Sequence, residues 1–432
     1  MLAPMGHRLS KMDVKSAEIA IVGAGQAGLA LSYHLTALGR PHAILEQGRT
    51  VDSWRTRRWD SLRLIAPNWS LVLPGCAYRG HDPDGFMTKD EVVEHLVRYA
   101  RSFGAPIHEG VRVVSVERNR NDTKFLVRTE DGELEATTVV VATGALQRPR
   151  VPDFAAAIPT AVLQLVPSQY RNPTELPPGK VLIVGSGETG CQIAEELSRA
   201  GRNVFLSGGR SWWAPRRYRG RDIAAWLRLL GWFERLAADL PPGVRAGKPN
   251  PQLSGADGGH DINPHSLARG AVTLLGRLRG FSDGIAYFAT DLAANVAWGD
   301  EQALDLLRAI DRIVDDQGLE VPAADVPEDL AAAESRAGIL ARRPYTSALT
   351  ELDLSAEGIS TVIWATGYRP DLAWIHLPFL DADGYPMQRR GITPVAGLYV
   401  VGLDWLHTAK SGLFAGIGDD AGYIASVIAA TR

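Results

Sequence analysis

Cysteine is almost missing from this chain. Its 432 residues include two, Cys76 and Cys191. Two thiols so far apart build no disulfide framework, which fits a reducing compartment and a cytoplasmic location. No Cys-x-x-Cys pair occurs, so electron transfer through a neighbouring dithiol is excluded. Long apolar runs are absent too. No window approaches the ~18 uncharged apolar residues of a membrane span, and the N-terminus has no signal-peptide core. Nor is there a surplus of one charge. Lys and Arg number 46 against 49 Asp and Glu, a net charge of −3. No basic field draws in nucleic acid or anionic membranes.

What remains is the composition of a globular protein, 45% hydrophobic and 22% charged. The length predicts two or three domains. Residues 1–16 show no pattern and read as a flexible tail, with Met12 as an alternative start.

Glu18 to Val22 is an apolar run of buried-strand type. GAGQAG follows at 23–28, then a helix over about 29–38 stopped by Gly39. A second strand covers His42 to Leu45, with Glu46 at its end. Spacing predicts a helix over 88–103 and two antiparallel strands, 111–116 and 125–128, joined by the turn NRNDTK. Thr138 to Ala142 is another buried strand, ending in Ala142-Thr143-Gly144. A proline-rich stretch then reads as a linker.

The opening pattern now repeats. Val181 to Val184 is a strand, GSGETG spans 185–190, a helix runs to about Ala200, and Val204 to Leu206 is the second strand. Residues 240–265, rich in Gly, Pro and Asp, read as a long surface loop. Thr361 to Ala365 ends in a second Ala-Thr-Gly, Leu398 to Val401 is one more strand, and 411–430 is a closing helix. The expected fold is α/β with two Rossmann-like dinucleotide-binding domains, the first discontinuous. Its parts are 17–150 and 351–432. The second domain, with an insertion, is 151–350.

The chemistry expected of the two loops differs. A pyrophosphate needs close backbone approach, N–H donors and the positive end of a helix. Gly23, Gly25 and Gly28, with Gln26 and Ala27 between them, provide this once. Gly185, Gly187 and Gly190, with Glu188 and Thr189, provide it again. Glu46, followed by Gln47, lies eighteen residues past Gly28. A carboxylate there can accept bonds from ribose hydroxyls and repels a 2′-phosphate, so the first site suits FAD or NAD. The second site has no acid. Ser207-Gly-Gly-Arg210 stands there instead, and a guanidinium favours the 2′-phosphate of NADPH. Arg216, Arg217, Arg219 and Arg221 are either further phosphate contacts or a solvated basic face. A hydride donor and its acceptor in one chain make an oxidoreductase.

GAGQAG, Glu46, SWRTRRWDSLRL at 53–64, the two Ala-Thr-Gly strands, GSGETG and the late Gly-Leu-Asp together resemble the class B flavoprotein monooxygenases. This group contains the flavin-containing monooxygenases. The resemblance covers nearly the whole chain. It implies NADPH reducing FAD, and reduced FAD and O2 forming a C4a-(hydro)peroxide that oxygenates a small-molecule substrate. It implies that Trp54, Arg55 and Trp59 lie near FAD. Ala142, Thr143, Gly144, Thr366 and Gly367 would be hinge or cofactor neighbours, and Asp404 would meet the ribityl-phosphate region. Two departures stand out. In the family fingerprint, read from Thr160 to Tyr170, only Tyr170 matches; Val162 replaces the glycine and Val166 the histidine. The asparagine used by flavin-containing monooxygenases should fall near Ile65, and Asn68 is out of register. PNWSLVLPG (67–75) and DPDGFMTKDE (82–91) resemble a related group of FAD-NAD(P)-binding oxidoreductases. A reductase or dehydrogenase without oxygen insertion is therefore the rival reading, and a redox-sensing flavoprotein with negligible turnover a third.

No catalytic residue is assigned. His407 and Lys410 stand before the last helix, with a role in oxygen or substrate chemistry weighed against surface or hinge roles. His260, Asp261 and His265 lack metal-ligand spacing, and no metal is expected. A homodimer is compatible with this reading.

Overall fold

The computed structural model describes residues 16–119, 124–240, 251–327, 330 and 349–431. Most of the expected tail, the middle of the NRNDTK turn and residues 241–250 lie outside the described residues.

The first unit is a sheet with helices against it. Its strands are β1 (Ser16–Val22), β2 (His42–Glu46), β3 (Ile107–Glu109), β4 (Val113–Arg118), β5 (Phe125–Thr129) and β6 (Gly132–Val141), in the order β3-β2-β1-β6-β5-β4. The apolar ends of β1 and β2 are buried, as parallel strands covered on both faces must be. Strand β6 changes partner along its length. Residues 132–136 pair antiparallel with β5, and residues 139–141 pair parallel with Leu398–Val400 near the other end of the chain. Helix α1 (Gln26–Ala37) follows β1 directly and starts earlier than expected, because Gly25 already acts as its N-cap. Two further helices precede β3: the short α2 (Asp52–Thr56) and α3 (Lys89–Ser102). At the head of α3, Thr88 Oγ1 accepts from Glu91 N at 3.2 Å and Glu91 Oε2 accepts from Thr88 N at 2.8 Å. This reciprocal cap is worth about 1 kcal/mol.

After β7 (Arg148–Pro149) the chain builds a five-stranded parallel sheet. It comprises β8 (Leu163–Leu165), β9 (Lys180–Val184), β10 (Val204–Ser207), β11 (Val272–Leu275) and β12 (Ile359–Trp364), ordered β8-β12-β9-β10-β11. Helices α4 (Glu188–Arg199), α5 (Ile223–Leu229), α6 (Pro264–Arg269) and the 26-residue α7 (Leu292–Gln317) belong to this part. Residues 351–364, expected in the returning part of the first unit, lie here instead. Glu351–Asp353 completes a three-stranded sheet with Leu278–Ser282 and Ile285–Phe288, and β12 sits in the middle of the parallel sheet.

The chain then crosses back through β13 (Tyr368–Arg369), which pairs antiparallel with β7. It ends in β14 (Leu398–Val400) and α8 (Phe414–Ala430), which packs along α1. The crossing-over and the crossing-back strands thus form one ladder between the two sheets.

One expectation fails in part. Residues 251–265 are not a surface loop: Gln252, Ser254, Asn263 and His265 are buried. Gln252 Nε2 donates to Ser186 O at 2.6 Å and to Ser211 Oγ at 2.9 Å. A segment rich in Gly and Pro can pack inside when its polar groups find such partners. Among the described residues, no helix is long and apolar enough to cross a membrane.

Candidate functional site: two glycine-lined clefts

Each of the two large sheets presents one glycine loop at the carboxyl end of a central, parallel-paired strand. In the first, Gly23 has φ +109°, and a Cβ there would stand 2.7 Å from the Ala142 carbonyl oxygen. A Cβ on Gly28 would stand 2.0 Å from Gly23 O. These two glycines let β1, the end of β6 and α1 converge. Gly25 is different. Among the described residues, and apart from its chain neighbours, nothing lies within 4 Å of its Cβ position at the start of α1. The helix N-terminus has no side-chain cap and no acid in its first turn, so its N–H donors face that space.

The second loop repeats this closely. Gly185 has φ +114° with a Cβ 2.3 Å from Ala365 O, and a Gly190 Cβ would meet Gly185 O at 1.9 Å. Gly187 again has nothing within 4 Å among the described residues, at the uncapped start of α4. Ala142 and Ala365, each from an Ala-Thr-Gly segment, therefore play the same part. The segments then turn at Gly144 (φ +77°) and Gly367 (φ +90°) and meet, with Arg150 N donating to Gly367 O at 2.9 Å. Thr366 Oγ1 donates to Arg150 O. Thr143 Oγ1 is buried and, among the described residues, has no hydrogen-bond partner.

The clefts differ at the tip of the second strand. Glu46 is buried. It accepts from Ala24 N at 2.8 Å and Gly48 N at 3.1 Å, while burial raises its pKa above the usual carboxylate range against those bonds. Registers fix its counterpart. Val22 pairs with Leu45 and Val184 with Ser207. Gly23 N donates to Leu45 O, and Gly185 N to Ser207 O. So Ser207 matches Leu45, and Gly208 matches Glu46. This corrects the expected role of Ser207: it is buried, donates to Gly276 O at 2.8 Å and accepts from Leu278 N at 3.0 Å, away from the cleft. Arg210 is exposed beyond it. The sequence reading missed a second arginine. Strand β11 brings Arg277 alongside, with Nε and Nη2 each 3.1 Å from a Cβ position on Gly209. The signal was there, since Leu-Leu-Gly-Arg277 ends β11 much as Leu-Ser-Gly-Gly-Arg210 ends β10.

The other named residues divide. Gln26 Nε2 donates to Gly412 O at 2.9 Å, tying the start of α1 to that of α8. Ala27 is buried beside Gly402, and Gln47 is exposed. Asp404 faces Gly412, is open to solvent yet crowded by protein, and this desolvation raises its pKa. Trp54 packs near Phe414, ring centroids 6.1 Å apart. Arg55 Nε donates to Thr50 O at 3.1 Å. Glu188 and Thr189, half-buried, open α4.

Trp59 is a correction. It is buried in the core of the second sheet with Tyr170, Val181 and Leu197, because the chain after α2 runs across to that unit. Arg216 is another, being neither a phosphate ligand nor solvated. It is buried, with Nε 2.8 Å from Asp222 Oδ2 and Nη1 2.7 Å from Ile65 O. Arg217 donates to Gly258 O and Gly259 O, and Arg219 pairs with Asp311. Asn68 spends its amide inside, donating to Asp82 O at 2.9 Å and accepting from Met87 N at 3.0 Å. Lys410 pairs with Asp419 at 2.9 Å, and His407 O accepts from Ala237 N. His260 pairs with Glu195, Asp261 accepts from Arg216 N and His265 pairs with Asp300, so the three point to different partners.

Comparisons with known proteins agree with this architecture. Residues 20–229 match the family model described as pyridine nucleotide-disulphide oxidoreductase. An uncharacterized oxidoreductase, CzcO-like, from Geobacillus kaustophilus is 32% identical over 410 residues, covering 94% of this chain and 97% of that protein. Indole-3-pyruvate monooxygenase YUCCA1 from Oryza sativa is 34% identical over 183 residues, 42% of this chain and 45% of that protein. Among solved structures, the flavin-containing monooxygenase from Stenotrophomonas maltophilia superposes with a TM-score of 0.64 at 19% identity, covering 96% of this chain and 99% of that one.

Proposed function

The chain belongs to the CzcO-like family of oxidoreductases, and from that premise we propose that it is an NADPH-dependent FAD monooxygenase acting on a small organic substrate with O2. One observation carries the reading. Two equivalent glycine clefts share one chain, and Glu46 in the first is replaced by Gly208, with Arg210 and Arg277 beside it, in the second.

The residues fit the two cofactors. In the first cleft, Gly25 leaves room for a pyrophosphate, Glu46 is placed for a ribose, Thr143 Oγ1 has no hydrogen-bond partner among the described residues, and Asp404 is a further polar group. In the second, Gly187 leaves the same room, and the two arginines would hold a 2′-phosphate. Residues 17–150 with the chain after Gly367 would hold FAD, and residues 151–365 NADPH. FAD, when bound, supplies the hydride acceptor and the O2-reacting centre. The protein's share would be to hold both dinucleotides by their phosphates on the glycine loops of two units joined by the β7–β13 ladder, and to exclude water between them. The monooxygenases named among the relatives and solved structures support the choice of oxygenation.

A second reading, a reductase without oxygen insertion, is favoured by Asn68, whose amide is spent inside, and by Val166 at the fingerprint histidine's place. The test is an NADPH-oxidation screen of the flavin-loaded protein against amines, sulfides, ketones and aromatic acids. Oxygenated product in step with NADPH consumed upholds the monooxygenase. NADPH consumption that yields only H2O2 across the screen overturns it in favour of the reductase.

A further inference from the structure

Arg58 is a half-buried cation that, among the described residues, has no carboxylate within ion-pairing distance. It follows α2, and its backbone oxygen accepts from Arg171 Nη1 at 3.4 Å, so it stands where the first unit touches the chain leading into the second. Its guanidinium lies over the Trp54 ring, 5.0 Å from the centroid. Trp54 in turn packs near Phe414, the first residue of α8. Glu188, the first residue of α4, and Tyr368 of β13 are within electrostatic reach. The group thus lies against Trp54 beside the start of α8, with the carboxylate that opens α4 and the phenol of the crossing-back strand near enough to act on it electrostatically.

An arginine presents a rigid fork of N–H donors. Here, among the described residues, the hydrogen bond it donates is from Nη1 to Arg57 O, its own neighbour, at 3.1 Å. Among the described residues no carboxylate comes within ion-pairing distance of it. Burial lowers its pKa, with neighbouring Arg57 adding to the effect and Tyr368 and Glu188 opposing it. Arg216 shows what an enclosed arginine has when its role is structural: a bidentate carboxylate and a main-chain carbonyl. Arg58 is less deeply buried than Arg216, but most of its donors have no protein partner among the described residues, and an arriving anion would take them.

We propose that Arg58 is an anion-binding residue of the cleft between the two units, its fork taking a phosphate or carboxylate oxygen pair of a ligand lodged between Trp54 and the start of α4. The oxyanion comes either from the pyrophosphate of the dinucleotide at the second glycine loop or from a carboxylate on the substrate. The Trp54 ring beneath the guanidinium favours its charge there, and the planar fork sets the anion's orientation. This rests on the proposed function only for the identity of the ligand.

The test is calorimetric titration of the purified full-length protein after incubation with FAD, for wild type, Arg58→Met and Arg58→Lys. The probes are NADP+, inorganic pyrophosphate, benzoate and phenylacetate. A loss in Arg58→Met on the order of 10-fold or more for NADP+ and pyrophosphate assigns the dinucleotide source. The same loss for the carboxylates alone assigns the substrate source. Either upholds the proposal. If Arg58→Met does not fold, Arg58→Lys, which keeps the charge and loses the fork, must show a loss of at least about 3-fold. Unchanged affinities, or no binding of any probe to wild type, overturn it. Flavin content reports separately on the proposed function: colourless protein that still binds an anion through Arg58 would end that reading and keep this one.

Discussion

Gly208 occupies in the second sheet the position that Glu46 occupies in the first. Both lie one residue past the residue that pairs with the end of the sheet's glycine-loop strand, Leu45 opposite Val22 in one case and Ser207 opposite Val184 in the other. The exchange of a buried carboxylate for a hydrogen atom, with Arg210 and Arg277 nearby, is the difference on which the cofactor assignment turns.

The first prediction concerns the second cleft. Arg210→Ala and Arg277→Ala should each raise the Michaelis constant for NADPH far more than for NADH. A charged hydrogen bond to the phosphate is worth roughly 1.5–3 kcal/mol, about 10- to 150-fold. Gly208→Asp places a Cβ 2.0 Å from Ser186 Oγ and 2.2 Å from Ser186 Cβ, so the loop must shift and stability should fall; in the folded fraction the preference should move toward NADH, since the new carboxylate would repel the 2′-phosphate. Steady-state kinetics with both nucleotides decide the matter, and equal effects on the two would remove the phosphate role.

For the first cleft, Glu46→Ala should give protein that purifies with less FAD than wild type. The ratio of flavin to protein absorbance measures it. Unchanged flavin content would mean that the ribose lies elsewhere.

Much of this was legible in the sequence, and the reasons are physical. The glycine loops are local, because a strand, a tight turn and a helix follow within about twenty residues. The expectations that failed all depend on distant packing. Ser207 looked like the strand-end residue until the register showed it one place short. Arg277 lies 67 residues beyond Arg210 and meets Gly209 because β11 pairs with β10. Trp59 belongs to the flavin-like segment by sequence, but its ring fills the second core.

Glycines in one loop should respond differently to alanine. Gly185→Ala forces a Cβ to 2.3 Å from the Ala365 carbonyl at a positive φ, so the protein should lose about 1–3 kcal/mol or more of stability. Gly187→Ala has open space within 4 Å and should melt close to wild type while weakening NADP+ binding. Thermal denaturation paired with nucleotide titration separates the two. A Gly187→Ala variant that binds NADP+ normally would contradict the assignment of that space to a pyrophosphate.

The raised pKa of Glu46 sets a pH dependence in flavin-free protein. Burial lifts its folded pKa above the ordinary 4.5. Between those two values the folded state holds more protons than the unfolded one, so stability falls as pH rises through the window. Glu46→Gln removes that term. The melting temperature of wild type relative to Glu46→Gln should therefore drop as pH climbs from about 4.5. A rise over the same range would show that the bonds from Ala24 and Gly48 outweigh burial.

Trp59→Ala should cost about 3–5 kcal/mol, the scale for removing a large buried aromatic, yet leave the flavin spectrum of the folded fraction unchanged. A shifted flavin spectrum at full stability would return Trp59 to the flavin.

The most direct test of the whole account is an anaerobic titration of the FAD-reconstituted protein with NADPH, followed in the visible flavin band. Two cradles holding donor and acceptor in one chain predict that about one equivalent bleaches the band, and that NADPH does so faster than NADH. Protein that takes up no flavin, or flavin that stays oxidised with NADPH in excess, would contradict it.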